Sequence, residues 1–369
     1  MKAARLLYTV LGCLLLTCLI SQAFAQKTAA PWKPLFNGKD LKNWDTYLKP
    51  SSAATDQAAI GLNRDPHQVF TVTNGTLRIS GQDWGGIATQ QSFSNYHLRF
   101  EVKWGEQKWP PREQAKRDGG LLFHCSEPYD YGSKCWMRSI ELQIQEADMA
   151  DCHNVGAGTA LFQLSKTKDG KEEVQQYDPF ADFMPYTRRV CRSGNFESPA
   201  GSWTTGELVA RGADAVFIIN GFVVNRVYTI FRTDLHEPVT AGRIQFQSEG
   251  SEHYLKNIEL RSIPPLPAAR PLLSTDKANT IVIPGQPQHF TITNNGEAVE
   301  LIAVELLGKN IDQFNLQLPA FPLVLKKGES ITIQAAVKEG TVAGNTVQLK
   351  LETLQGPVPG FTTSITSSK

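Results

Sequence analysis

The stretch Arg138-Ser139-Ile140-Glu141-Leu142-Gln143-Ile144-Gln145-Glu146 decides how the chain is read. Its residues alternate without a break, so an extended backbone puts Ile140, Leu142 and Ile144 on one face and Glu141, Gln143 and Gln145 on the other. One face suits a core. The other is a polar row, and although a solvent-facing strand shows the same pattern, this row is flanked by Arg138, Glu146, Asp148, Asp151 and His153. That company points to chemistry.

Outward from this strand, short alternating runs separated by turn signals extend from Trp32 to about Ile263, the pattern of an all-β sandwich or jelly roll. Asn74-Gly75 and Asn220-Gly221 each sit between two strand-like runs and supply the two left-handed residues of a type I′ hairpin turn. Further strands are expected at Tyr96 to Trp104, Gly120 to Cys125, Gly206 to Ala210, Gly242 to Ser248 and Tyr254 to Arg261. Gly105 to Asp118 and Ser165 to Ser202 read as long, polar, irregular loops, and insertions of that size are more often functional than idle. A proline-rich linker (264–278) follows. Beyond it, runs such as His289 to Thr293 and Ser330 to Val337 predict a small immunoglobulin-like β-sandwich (279–369) with a spacer, anchoring or docking role.

Residues 1–25 read as a cleavable signal peptide: Lys2 and Arg5 precede an apolar run from Leu6 to Ile20, and Ala23-Phe24-Ala25 offers the cleavage site. The run is shorter than the roughly 20 residues that span a bilayer, so no transmembrane segment is expected after cleavage and the protein is expected to be secreted or periplasmic. Cys13 and Cys18 leave a lipoprotein as the minor alternative. Losing the leader lowers Lys plus Arg from 37 to 35 against 36 Asp plus Glu. A chain so close to neutral excludes a nucleic-acid partner, which calls for a basic face. Cys125, Cys135, Cys152 and Cys191 would survive cleavage; in an oxidising compartment they read as disulfides of unknown pairing or as buried thiols.

The spacing Glu141-x-Gln143-x-x-Glu146 resembles the catalytic strand of laminarinase-type retaining glycosidases, Glu-x-Asp-x-x-Glu, in which a bulge returns the last Glu to the same face. Those enzymes need two carboxyls about 5–5.5 Å apart. Here the central acid is an amide, which can orient a neighbour or hold a hydroxyl but cannot carry a negative charge. A resemblance that covers nearly the whole first domain (26–263) rests on Leu35-Phe36-Asn37-Gly38-Lys39-Asp40-Leu41 with Trp44, Asp118-Gly119-Gly120-Leu121-Leu122-Phe123-His124, and the 138–146 strand. Trp203 with Glu207, Asn220-Gly221, and Gln247-Ser248-Glu249-Gly250-Ser251-Glu252 leading into Lys256-Asn257-Ile258-Glu259-Leu260 complete it. Together these pieces resemble the 3-keto-disaccharide hydrolase domain family, a concanavalin-like jelly roll of exported bacterial proteins.

The resemblance implies a carbohydrate substrate and one particular route. A sugar oxidised to a ketone at carbon 3 has an acidified proton at carbon 2; a base removes it, the glycosidic oxygen leaves carbon 1, and water adds to the enone. That route needs one base and a donor for the enolate rather than a matched carboxylate pair. Glu141 is the candidate base, with His124 or His153 as alternative base or acid. Gln143 and Glu146 are candidates for substrate contact, Arg138 for an oxyanion, and Trp109 and Trp136 for stacking on sugar rings. Asp148 and Asp151 would suit calcium, and His153 with His124 and Glu141 would suit zinc; no metal is assigned. Alternatives are a non-catalytic carbohydrate-binding module on the same jelly roll and a retaining glycosidase of laminarinase type.

Overall fold

The computed structural model describes residues 30–50, 58–169, 172–263 and 270–369, so the leader lies outside the described residues. The 138–145 strand sits in the middle of a large sheet. Its neighbour on one side is Asp118–Ser126, followed outward by Arg243–Ser248, Trp84–Thr89 and Trp44–Lys49; on the other side lie Cys152–Val155 and Val190–Cys191. A second sheet, built on Tyr96–Lys108, Thr204–Arg211, Asp214–Ile219, Phe222–Arg232 and Ser251–Ser262, packs against the first. Ile140, Leu142 and Ile144 are fully buried in the shared core with Leu98, Phe100, Leu208, Phe217 and Leu255. Edge-to-face rings stitch the layers, Phe100 on Phe246 at 5.5 Å and Phe123 on Phe217 at 5.8 Å between centroids. The first domain is a β jelly roll.

Local chemistry explains the turns. Asn74 and Gly75 have φ of 50° and 77°, Asn220 and Gly221 of 49° and 82°, the successive left-handed residues that match the twist of the flanking strands. The Asp118–Ser126 strand departs from regular alternation: its register against the 138–145 strand shifts between Phe123 and Ser126, where His124 takes φ 52°. Without this bulge, His124 would share a face with Asp118, Gly120 and Leu122.

Three expectations change. The stretch from 165 to 202 is not an irregular loop: it contains part of Thr159–Asp169, the strands Glu172–Tyr177, Phe183–Tyr186 and Val190–Cys191, and extends the sheet beside the 138–145 strand. Alternating polar residues such as Glu172 to Gln176 hid these strands, because neither face reads as core. Leu273–Thr275, placed in the linker on sequence, pairs with Gln288–Asn294 and belongs to the second unit. Cys125, Cys135 and Cys152 are buried free thiols, which leaves no disulfide pairing among the four cysteines.

The second unit is a β structure of two main sheets and a two-stranded one, Val299–Leu301 with Leu323–Leu325. Leu273–Thr275, Gln288–Asn294, Ser330–Val337 and Phe314–Gln317 form one sheet; Asn279–Val282, Thr363–Ser367, Thr346–Thr353 and Ala303–Gly308 form the other. It meets the first domain where Phe222 bridges to Val304 and where the buried Arg226 faces two carboxylates. Arg226 Nη2 lies 3.0 Å from Glu305 Oε2 and 2.8 Å from Glu352 Oε2, and the Tyr177 hydroxyl donates to Glu305 at 2.8 Å. Replacing Arg226 by Met leaves two buried carboxylates without their cation, an arrangement that costs about 3–5 kcal/mol. Arg226→Met is therefore expected to lower the denaturant midpoint strongly at pH 7. The deficit should shrink at low pH, where protonation removes the unpaired negative charge that the substitution leaves buried.

Candidate active site

The polar face of the 138–145 strand is the floor of a cleft. Glu141 is only 5% exposed and Gln143 is buried, so this row is not solvated. The cleft has a volume of about 520 Å³ and is lined by Glu141, Gln143 and Gln145, by Asp118, Gln247 and Glu249 from the adjoining strands, and by Arg112 from the loop 109–117. His153 faces it from the next strand, in register with Glu141. Arg189, Trp136 and Tyr131 form its walls.

Two glycines make the floor. A Cβ on Gly120 would stand 2.1 Å from Glu141 Oε1 and 2.3 Å from Gln247 Oε1, and one on Gly86 would meet the Gln245 side chain at 2.7 Å. Side chains from two strands, Arg138–Gln145 and Arg243–Ser248, thus lean over positions that carry none. Glu141 Oε1 and Gln247 Oε1 converge above Gly120, both buried and both without a hydrogen-bond partner. Two unpartnered acceptors aimed at one point await a donor, such as a substrate hydroxyl or a proton held by Glu141 itself.

Three carboxyls share one cation here. Asp118 accepts from Gln143 Nε2 at 2.8 Å, Gln145 Nε2 at 2.7 Å and its neighbour Gly119 N at 3.0 Å, and pairs with Arg112 Nη1 at 2.5 Å. Arg112 Nη2 bonds Glu249. Burial is the main cause that raises the carboxyls: Asp118 goes to about 6 and Glu249 to about 8, with Arg112 opposing in both. Burial, then the charges of Glu249 and Asp118, carry Glu141 well above the usual carboxylate range. With Arg112 and two amides around it, Asp118 is the best stabilised anion, and Glu141 and Glu249 hold their protons to higher pH than ordinary carboxyls do. Burial depresses His153 to about 4, so its ring is neutral.

The remaining sequence candidates lie elsewhere. Turned away by the bulge, His124 is buried under the sheet, with Nε2 3.2 Å from the Gly212 carbonyl, and burial lowers it to about 4. Glu146 is not returned to the face of Glu141; it accepts from Arg117 Nη1 at 3.0 and 3.1 Å and closes the base of the 109–117 loop. Arg138 bonds Asp234 at 3.0 Å and places its guanidinium 4.3 Å from the Tyr131 ring, outside the cleft lining. Trp109 donates to the Ser80 carbonyl at 3.0 Å and anchors the loop that carries Arg112. Trp136 is a buried wall, stacked on Trp84 at 5.6 Å, whereas Tyr131, 42% exposed, is the accessible aromatic of the cleft.

The metal candidates are also spent on other partners. Asp148 bonds Lys116 and Arg192, and Asp151 bonds Arg189 at 2.7 Å and Arg192 at 2.9 Å. Among the described residues no group of three or more His, Cys, Asp or Glu is placed to hold a metal ion.

A family model for the 3-keto-alpha-glucoside-1,2-lyase-like domain matches residues 31–261, which include every cleft residue named above. The chain belongs to this family. Solved structures it resembles include a candidate glycosyl hydrolase from Parabacteroides distasonis, at 17% identity over 63% of this chain and 94% of that one with a TM-score of 0.40. LamAcat from Zobellia galactanivorans is 9% identical over 64% of this chain and 99% of that one, TM-score 0.34. The carbohydrate binding module CBM66 from Bacillus subtilis is 9% identical over 60% and 96%, TM-score 0.29. No curated protein matches the chain. The family match marks a carbohydrate-active type of domain; the second unit, 270–369, lies outside it.

Because Gly120 is not in a left-handed conformation, alanine suits its backbone and tests only the space above it. Gly120→Ala is expected to keep a cooperative melt while displacing Glu141 and Gln247, with a loss of turnover of about a hundredfold or more.

Proposed function

We propose that the first domain cleaves 3-keto-glycosides by elimination and hydration, working after export, with Glu141 as base and Glu249 as proton donor. The observation that carries this reading is the pair of unpartnered oxygens above Gly120, one of them on a buried carboxyl whose affinity for a proton is raised. A carboxylate forced into such a place is a stronger base than one in water, as removing a C–H proton demands.

In the proposed sequence Glu141 takes the proton from carbon 2 of a sugar that carries a ketone at carbon 3. The C–H electron pair enters the enolate, whose negative charge lies in the field of Arg112. Collapse of the enolate expels the glycosidic oxygen from carbon 1 and leaves a double bond between carbons 1 and 2. Glu249, which keeps its proton to about pH 8, donates to the leaving oxygen. Water then adds across the double bond, hydroxyl to carbon 1 and proton to carbon 2, so the net change is hydrolysis and no oxidant is consumed. Gln143, Gln145 and Gln247 line the cleft with amides suited to sugar hydroxyls, and Tyr131 offers an aromatic surface.

Retaining hydrolysis is less well supported, since its second carboxylate is the amide Gln143 and Glu146 faces Arg117. Purified protein incubated with a 3-keto-disaccharide and with its unoxidised parent should cleave only the keto form, and Glu141→Gln should abolish that cleavage without altering the melt. Cleavage of the parent would instead favour a glycosidase, and binding without turnover a carbohydrate-binding module.

The pH dependence gives a second check. kcat/KM should rise with pH as Glu141 ionises, on a limb above the ordinary carboxylate range. Since the Glu249 charge is one cause of the raised affinity of Glu141, Glu249→Gln should move this limb to lower pH while reducing the maximal rate. A limb that stays in place in Glu249→Gln would separate the two carboxyls.

A further inference from the structure

Arg189 lines two cavities. One is the cleft; the other is a chamber of about 870 Å³ where Thr159–Asp169 and Glu172–Tyr177 of the first domain face residues 306–312 and 345–346 of the second unit. That volume lies in the range of about 300–1,000 Å³ in which small-molecule sites fall. The wall between the cavities is braced by charge: Asp151 accepts from Arg189 Nε at 2.7 Å and from Arg192 Nη1 at 2.9 Å, and Asp148 accepts from Arg192 Nη1 at 3.1 Å. These pairs neutralise the two aspartates.

What remains toward the chamber is mostly donors. Arg192 Nε is buried and has no partner. Lys168 and Lys309 are exposed on opposite sides, one from each domain, and Asn195, Asn310 and Asn345 stand between them. Of the other charged groups, Lys166 is paired with Glu173 at 2.8 Å, Asp178 accepts from the backbone of Phe180 at 3.0 Å, and Asp312 is the acid contributed by the second unit. Phe180 is 65% exposed at this chamber, so its ring face is available to stack on a sugar. An accessible ring beside amides and two exposed lysines matches a saccharide that carries negative charge.

We propose that this chamber is the leaving-group subsite: it holds the sugar units beyond the bond broken in the cleft and favours units bearing a carboxylate, so the second unit helps to select the substrate. The orientation rests on the reading of the cleft as a glycoside site; the binding itself does not.

The test is calorimetric titration of the full chain carrying Glu141→Gln, at low salt, with a galacturonate tetrasaccharide and a neutral glucose tetrasaccharide. The acidic probe should bind more tightly. Lys309→Glu should weaken the acidic probe about tenfold and the neutral one little, and Phe180→Ala should weaken both about tenfold. Equal binding of the two probes, no binding of the acidic one, or acidic binding unmoved by both substitutions would overturn the proposal. Because neither Phe180 nor Lys309 lines the cleft, the parallel assay of 3-keto-disaccharide cleavage by Phe180→Ala and Lys309→Glu in the otherwise native chain reports on the cleft separately. Absence of cleavage in the native chain would remove the reaction while leaving the binding result to stand or fall alone.

Discussion

One guanidinium faces three buried carboxyls, and the cleft is organised around that shortage of positive charge. Arg112 bonds Asp118 and Glu249 directly and opposes the protonation of Glu141 through space. At an effective dielectric near 20, two like charges about 4–6 Å apart repel by about 3–4 kcal/mol, worth roughly 2–3 pKa units. Three anions with one cation would therefore be far more costly than a cluster that keeps protons. The fold supplies Asp118 with four donors and Glu141 with almost none, so the negative charge settles on Asp118, Glu249 holds the proton that a donor needs, and Glu141 becomes a strong base once it ionises.

Everything around the cluster serves to hold that imbalance. Gly120 and Gly86 leave room for long polar side chains to lie over the sheet. Trp109, pinned to the Ser80 carbonyl, and Arg117, pinned to Glu146, fix both ends of the short loop that delivers Arg112. Behind the sheet, Ile140, Leu142 and Ile144 lock the strand into the sandwich core, so the spacing of Glu141, Gln143 and Gln145 follows from packing as much as from the cleft. The second unit, joined through Arg226 and its two glutamates, borders the neighbouring chamber rather than the cleft.

Much of this was legible in the sequence where a strict periodicity or a special backbone conformation was involved. The alternation from Ile140 to Gln145 gave both faces of the central strand correctly, and the Asn-Gly pairs marked their turns, because each rule depends on residues adjacent in the chain. His124, an alternative base or acid by the family resemblance, lies away from the cleft because a bulge, which no local rule marks, reverses the alternation of its strand. Arg112, Glu249 and Gln247 escaped notice for a different reason: they come from a loop and from a strand more than 100 positions away, and only the sheet register brings them to Glu141. Asp118-Gly119-Gly120 and Gln247-Ser248-Glu249 were present as pieces of the family pattern, and a glycine beside a polar strand face was the available signal. Asp148 and Asp151 looked like metal ligands because their arginine partners, Arg189 and Arg192, lie about forty residues downstream.

The central claim is that Glu141 holds a proton under conditions where an ordinary carboxyl has lost it. Infrared difference spectra between the native chain and Glu141→Gln, recorded as a function of pH, measure this carboxyl directly. The account predicts that the carbonyl stretch of a protonated Glu141 persists at neutral pH. Its disappearance near the ordinary glutamate value of about 4.3 would contradict the account, because the cleft would then hold an ordinary carboxylate.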